Sequence, residues 1–257
     1  MIVRKSPEEL DKMRKAGAIV AGTISAVLEA VEPGRTTLDL DRVAETFIRD
    51  QGATPSFKGY RASSSTPFPG TICASLNHEI VHGIPSRTRV LAEGDLLSLD
   101  FGAIWEGFHS DSAVTVFVGD VAPSAEAERL VKVTEGALEA AIAQVKPGGR
   151  LSDIGHAIEQ AAGAEGFGLV REFGGHGIGR ALHEDPWVQN WGAPGRGPTL
   201  RPGLVLALEP MLTLGGDETR MLPDGWTVVT ADGSLSAHAE HTVAVTESGH
   251  EILTVRG

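Results

Sequence analysis

GDLLSLDFGAIWEGFHSDSAVTVFVG (94–119) is the stretch that decides the fold. Two alternating strands, 95–105 and 108–118, flank a turn at Glu106-Gly107. If Trp105 faces Phe108 across the hairpin, Asp100 faces Ala113. Asp111, two residues from Ala113, then shares a face with Asp100 as its diagonal neighbour. A slip of one residue would send the two to opposite faces, so the prediction rests on register. Aspartate is unfavourable within a strand, and an apolar strand carrying two of them needs a reason. Two carboxylates on one buried face repel and take up protons unless a cation sits between them. The hairpin therefore predicts a β-sheet with a metal-binding face, in preference to two solvated acids.

Outward from the hairpin, helices alternate with strands. Ser6-Pro7-Glu8-Glu9 reads as a capped helix start, with Ser6 at the N-cap and Glu9 completing a capping box. Apolar residues recur at helical spacing from Leu10 to Val31, where Pro33-Gly34 follows. A second helix fits Leu38 to Asp50, a long one 124–145 and a shorter one 152–163. Residues 53–77 are rich in Ser, Gly and Pro and read as irregular, with a strand at roughly 71–84. Further strands are expected near 204–214, 226–230, 239–247 and 250–255.

Three segments repeat in order. VEPGRTTLDLDRVAETF (31–47) echoes VKPGGRLSDIGHAIEQA (145–161), VHGIP (81–85) echoes GHGIG (175–179), and LAEGDLLSLDFGA (91–103) echoes LRPGLVLALEPML (200–212). These echoes predict one α+β domain made of two pseudo-twofold-related halves, roughly 1–120 and 121–257, with helices covering antiparallel strands. The last echo aligns Asp100 with Glu209. A site in the cleft between the halves follows as the expectation.

Composition narrows the function. The chain has 257 residues, 41% of them apolar, with 22 Lys+Arg against 34 Asp+Glu and a net charge of −12. That balance is globular, and its acidity argues against nucleic-acid binding. One cysteine, Cys73, excludes a disulfide framework and a cysteine-based zinc site. No apolar run reaches about 18 residues, and MIVRKSPEEL has no apolar leader core, so a soluble cytoplasmic protein is expected. Arg4, Lys5, Lys12, Arg14 and Lys15 offer a basic patch of the kind a ribosome would contact transiently. Glu8, Glu9 and Asp11 interleave with them and favour an ordinary solvated helix face.

Other residues that carry chemistry lie downstream: His176 and His183 in GGHGIGRALHEDP (174–186), Glu209 after LVLAL, and Glu240 in HAEHTVAV (238–245). The glycine run lacks the strand-to-helix context of a phosphate loop. His78-Glu79-Ile80-Val81-His82 matches the zinc-protease pattern H-E-x-x-H, which works only on a helix. β-branched Ile80 and Val81, with Gly83 and Pro85 following, predict strand or loop instead.

The succession Asp100, Asp111, His176, Glu209, Glu240, with HGIP at 82–85, resembles the type I methionine aminopeptidases of the pita-bread dinuclear metallohydrolase fold. CASLNHEIVHGIP (73–85), LALEPML (206–212) and DGWTVVTADGSLSAHAEHT (224–242) extend the resemblance over nearly the whole chain. It implies two divalent ions, Mn²⁺, Fe²⁺ or Co²⁺. Asp100 would hold one, Asp111 and Glu240 would bridge both, and His176 and Glu209 would complete the second. It implies attack of a bridging hydroxide on the first peptide bond of a nascent chain with an initiator methionine and a small second residue. Glu209 would shuttle the proton, His183 would stabilise the oxyanion, and His82 would lie near the scissile amide. Phe68, Cys73 and Trp226, with Tyr60, would form the methionine pocket. The stretch 61–66 is longer than in many members, and Leu182 stands where several have Phe. A monomer is expected. Xaa-Pro peptidases resemble the same ligand set but usually carry an extra amino-terminal domain; catalytically inactive relatives that only bind typically lose ligands, and none is missing here.

Overall fold

The structure is a computed structural model that describes residues 1–61 and 66–256; the Ala62–Ser65 part of the longer stretch lies outside the described residues. Helix α1 (Pro7–Leu28) opens on the expected capping box. Ser6 Oγ accepts from the Glu9 amide (3.3 Å) and Glu9 Oε2 accepts from the Ser6 amide (3.0 Å). Helix α2 (Thr37–Asp50) repeats the device with Thr36 and Asp39. Strands β1 (Thr54–Pro55), β2 (Ile72–Leu76) and β3 (Glu79–Val81) precede the long hairpin β4 (Leu96–Trp105) and β5 (Phe108–Phe117). Glu106 and Gly107 both have positive φ (46° and 80°), the backbone that a tight hairpin turn requires.

The hairpin register is the expected one, with Trp105 opposite Phe108, Asp100 opposite Ala113 and Gly102 opposite Asp111. Strand β4 also pairs with β1 and β2. Leu97, Leu99 and Phe101 on one face pack against Ile19, Ile24 and Leu40 from α1 and α2. The alternate residues Ser98, Asp100 and Gly102 are left for the opposite face, away from the helices.

Helices α3 (Ala125–Ile142) and α4 (Leu151–Glu165) follow, then β6 (Gly168–Leu169), β7 (Gly175–Gly177), β8 (Glu184–Val188), β9 (Val205–Leu208) and β10 (Met211–Thr213). The chain continues through β11 (Thr219–Met221), β12 (Val228–Thr230), β13 (Ser236–His238), β14 (His241–Val245) and β15 (His250–Ile252). An antiparallel sheet runs β15-β14-β9-β7-β8. Its Leu206, Leu208, Val243 and Val245 pack with Leu138, Ile142, Ile154 and Ile158 of α3 and α4. Helices on antiparallel sheets give the α+β architecture expected from the sequence. Among the described residues no helix is long and apolar enough to cross a membrane.

Hydroxyl side chains tie β5 to the β13–β14 segment. Thr242 Oγ1 accepts from the Asp111 amide (2.9 Å) and donates to the Asp111 carbonyl (2.7 Å). Thr115 Oγ1 does the same for His238, at 3.0 and 2.7 Å. Ser112 Oγ donates to the Glu240 carbonyl (2.6 Å), and the Glu240 amide donates to the Ala113 carbonyl (3.1 Å).

Two local expectations change. The strand at 71–84 is two short strands broken at Asn77, whose φ of 57° lets its amide accept and donate across to Leu96 and Asp95. Three of the basic residues near the amino terminus are held in ion pairs, and one of the three leaves the solvated face. Lys5 is buried in an ion pair with Glu184 (2.7 Å), Arg14 is held by Asp11 and Glu251, and Lys12 by Glu106.

Candidate active site

Asp100 and Asp111 project from one face of the β4–β5 hairpin; His176 comes from β7, Glu209 from the residue after β9, and Glu240 from the corner between β13 and β14. These five line the floor of a cleft of about 300 Å³. His176 Nε2 is 4.0 Å from Asp111 Oδ2 and 3.7 Å from Glu209 Oε1. Asp111, His176 and Glu240 each offer a donor atom within 4.8 Å of the others. His176 Nδ1 lies 2.9 Å from the Gly177 carbonyl, which places the ring proton on Nδ1 and leaves the Nε2 lone pair facing the carboxylates.

Burial pushes all four carboxyls up. Asp100 rises to about 7 by desolvation; Asp111 goes well above the carboxylate range by desolvation, then by repulsion from Glu240 and Asp100. Glu209 and Glu240 rise for the same reasons. Burial lowers His176 to about 3, so the imidazole is neutral. Asp100 Oδ1, Asp111 Oδ1 and Glu240 Oε1 are buried with no hydrogen-bond partner. Buried acceptors without donors are costly, and neutral imidazole with clustered carboxylate oxygens is a donor set for divalent cations. The residues fit a divalent metal centre.

Above this floor, the His183 ring centroid is 4.2 Å from that of His176. The Tyr60 hydroxyl meets His183 Nδ1 at 2.6 Å. His82 lies edge-on to Phe173 (5.8 Å) and Trp226 (6.1 Å) and has φ 61°, a left-handed backbone rare for a side chain of its size. The next residue must be small, because a Cβ on Gly83 would sit 2.3 Å from the Ala74 carbonyl oxygen. Phe68 packs edge-on against Trp226 (5.2 Å), whose Nε1 donates to the Thr66 carbonyl (3.1 Å). Cys73 is buried at the floor's edge, opposite Asp100 in the β2–β4 register, and its thiol pKa is driven up by burial and by that carboxylate. Leu182 closes the cleft beside His183. Every site residue expected from the sequence thus borders this cleft.

His78 does not. It is exposed in the turn between β2 and β3, so H-E-x-x-H is not helical and its two histidines share no face. The glycine run likewise forms β7 and leads into no helix. Three cleft aromatics and a buried histidine are among the residues that escaped the sequence reading. Phe57, Phe173 and Trp187 line the cleft, and nothing in their local pattern distinguishes them from core or surface aromatics. The histidine, His238, is 2% exposed with Nε2 unpartnered, 3.9 Å from Glu209 Oε2 and 3.8 Å from Glu240 Oε2. Its signal is its place two residues before Glu240, at the end of β13 where the chain turns into β14.

Residues 11–247 match the profile described as Metallopeptidase family M24. The chain is 51% identical to methionine aminopeptidase 1 of Mycobacterium tuberculosis, covering 99% of this chain and 96% of that protein. It is 50% identical to methionine aminopeptidase 1 of Bacillus subtilis, covering 99% of each. The crystal structure of methionine aminopeptidase from Thermotoga maritima superposes with a TM-score of 0.94 at 43% identity, over 99% of each chain. A prolidase from Pyrococcus furiosus, at 22% identity and TM-score 0.78, shares the fold alone, and this chain covers 66% of it. With the α+β pita-bread architecture, the clustered donors and these likenesses together, the chain belongs to metallopeptidase family M24, among its type I methionine aminopeptidases.

Proposed function

We propose that this chain removes the amino-terminal methionine from nascent polypeptides whose second residue is small. The observation that carries the reading is the cluster of four buried carboxyls and His176 at the foot of an apolar, aromatic-walled cleft. Asp100, Asp111, His176, Glu209 and Glu240 would together hold two divalent ions. Oxygen-rich ligation with a neutral imidazole suits Mn²⁺, Fe²⁺ or Co²⁺. When bound, such ions polarise the scissile carbonyl and lower the pKa of water.

The chain's own groups do the rest. Glu209 receives the proton of the attacking water and returns it to the leaving amine. With the Tyr60 hydroxyl as donor to His183 Nδ1, the ring's single proton sits on Nε2, where it meets the developing oxyanion. His82 stands over the scissile amide. Phe68, Cys73 and Trp226 accept the methionine side chain, whose sulfur gains from aromatic edges. A shallow neighbouring pocket at Leu182 rejects large second residues. The two helix pairs, each on its own antiparallel sheet, support one catalytic domain built by duplication.

The test is methionine release from Met-Ala-Ser beside Ala-Pro-Ala, with chelator-stripped protein assayed with and without Mn²⁺, Fe²⁺ or Co²⁺. Metal-dependent cleavage of the methionine peptide alone is expected, abolished in folded Asp111→Asn and His176→Ala. Cleavage of the proline peptide alone would move the chain to the proline-directed peptidases. Full activity in either variant would sink the ligand assignment.

A further inference from the structure

The Glu209 carboxylate stands between two imidazoles. Oε1 faces His176 Nε2 at 3.7 Å, and Oε2 faces His238 Nε2 at 3.9 Å. His238 Nε2 is equally close, 3.8 Å, to Glu240 Oε2. The His238 side chain is 2% exposed and the atom has no hydrogen-bond partner. Its backbone is fixed on both sides, by Thr115 Oγ1 and by the β10–β13 pairing opposite Met211. His238 also lines a second cavity of about 370 Å³, bounded by residues of β5 and α3.

A buried imidazole nitrogen held at equal distance from two carboxylate oxygens has one use for its proton. Carboxylates ionised around a bound cation only accept, so the proton then belongs on Nε2. At 3.8–3.9 Å neither contact is a full hydrogen bond, but a shift of about 1 Å, within reach of a carboxylate turning about its terminal torsion, brings either oxygen into range. Groups that hydrogen-bond metal-ligating carboxylates orient them and raise affinity for the ion.

We propose that His238 is a positioning residue for the metal centre, its Nε2–H holding the Glu209 and Glu240 carboxylates in the geometry that binds the cation. The proposal rests on the metal-centre reading above and adds to it a residue that does not itself ligate.

The experiment titrates Co²⁺ calorimetrically into chelator-stripped wild type, His238→Leu, His238→Gln and Asp111→Asn, with thermal unfolding of each stripped protein as the fold control. His238→Leu should weaken Co²⁺ binding about 10- to 100-fold. His238→Gln, whose amide can still donate, should bind close to wild type. Should the Leu variant not fold, His238→Met supplies the same apolar test. Wild-type Co²⁺ affinity in a folded Leu or Met variant overturns the proposal. So does a Gln variant as weak as Leu, which would mean that the imidazole ligates directly. Failure of the metal-centre reading looks different: wild type and Asp111→Asn would then bind Co²⁺ equally poorly. If only the role of His238 fails, Asp111→Asn loses the ion and His238→Leu keeps it.

Discussion

Gly175→Ala tests how His176 is held. Strand β7 is three residues long, and His176 sits at its centre opposite Ala207 of β9. A Cβ on Gly175 would lie 2.3 Å from the Ala207 carbonyl oxygen and 3.3 Å from Val188 Cβ on the other side. Carbon and carbonyl oxygen settle at about 3.3 Å, so β7 must retreat from β9 by about 1 Å, with β8 blocking the way. Overpacking of this kind costs about 1–3 kcal/mol, or roughly 2–10 °C in Tm for a chain of this size. The larger effect should be on rate. Moving His176 by about 1 Å relative to Asp111 and Glu209 is the scale of misplacement that costs roughly 100-fold. The assay is kcat/KM on Met-Ala-Ser at saturating metal, with Tm measured on the same samples. Gly136→Ala is the control: it lies in α3 with nothing within 4 Å of the added Cβ and should gain helix stability of about 0.5–1 kcal/mol. A Gly175→Ala protein with wild-type kcat/KM and Tm would refute the claim that strand approach positions the imidazole.

Tyr60→Phe removes the hydroxyl at His183 Nδ1 and should lower kcat roughly 3- to 10-fold, the worth of about 0.5–1.5 kcal/mol, with KM little changed; unchanged kcat would remove Tyr60 from that role. His78→Ala, in an exposed turn, should leave activity and bound metal intact, and loss of both would restore H-E-x-x-H as a ligand motif. Chelator-stripped protein should lose stability towards alkaline pH, its histidines and carboxyls acting in opposite directions between about pH 4 and 6.5. His82, His176 and His238 are held at about 4, 3 and 3, below the unfolded value of about 6.5, so they cost stability as pH falls from there; Asp100 at about 7 and the three higher carboxyls are held above theirs, so their contribution is lost from about pH 4 upward and goes on falling above 6.5, where the histidines no longer offset it. Added Mn²⁺ should remove the alkaline limb in Tm measured from pH 6.5 to 9, and identical stripped and loaded profiles would contradict cation binding by these carboxyls.

What could be read from sequence depended on whether a local pattern or a tertiary contact sets the element. Asp100 and Asp111 were placed correctly because alternation and a Glu-Gly turn fix register within one hairpin. The helix starts were legible for the same reason: Ser6 with Glu9 satisfies its own orphan amides three residues away. Strand β7 was not legible, since Gly-His-Gly has no alternation and is extended only because β8 and β9 close on it from either side. Nor was β1, two residues recruited by Ala103 and Ile104 from a stretch that reads as irregular. Lys5 reads as a surface charge, and only the fold brings Glu184 across to bury it. Ordering the five site residues along the chain was enough to suggest the family, but not which neighbours would hold them.

The seam between β5 and the β13–β14 segment shows why the site forms where it does. A continuous ladder would space these strands by about 4.8 Å and seal their facing edges with amide-carbonyl pairs. Instead Thr242, Thr115 and Ser112 place a hydroxyl between the backbones at three successive points. Thr242 and Thr115, each both accepting and donating, satisfy backbone groups that a ladder would have paired. Asp111 and Glu240, one from each side, can then face each other across a gap that a donor-poor, acceptor-rich lining makes hostile to anything but a cation. Four carboxylates carry four negative charges. Burial drives protons onto them, and a divalent cation supplies the compensating charge in the protons' place.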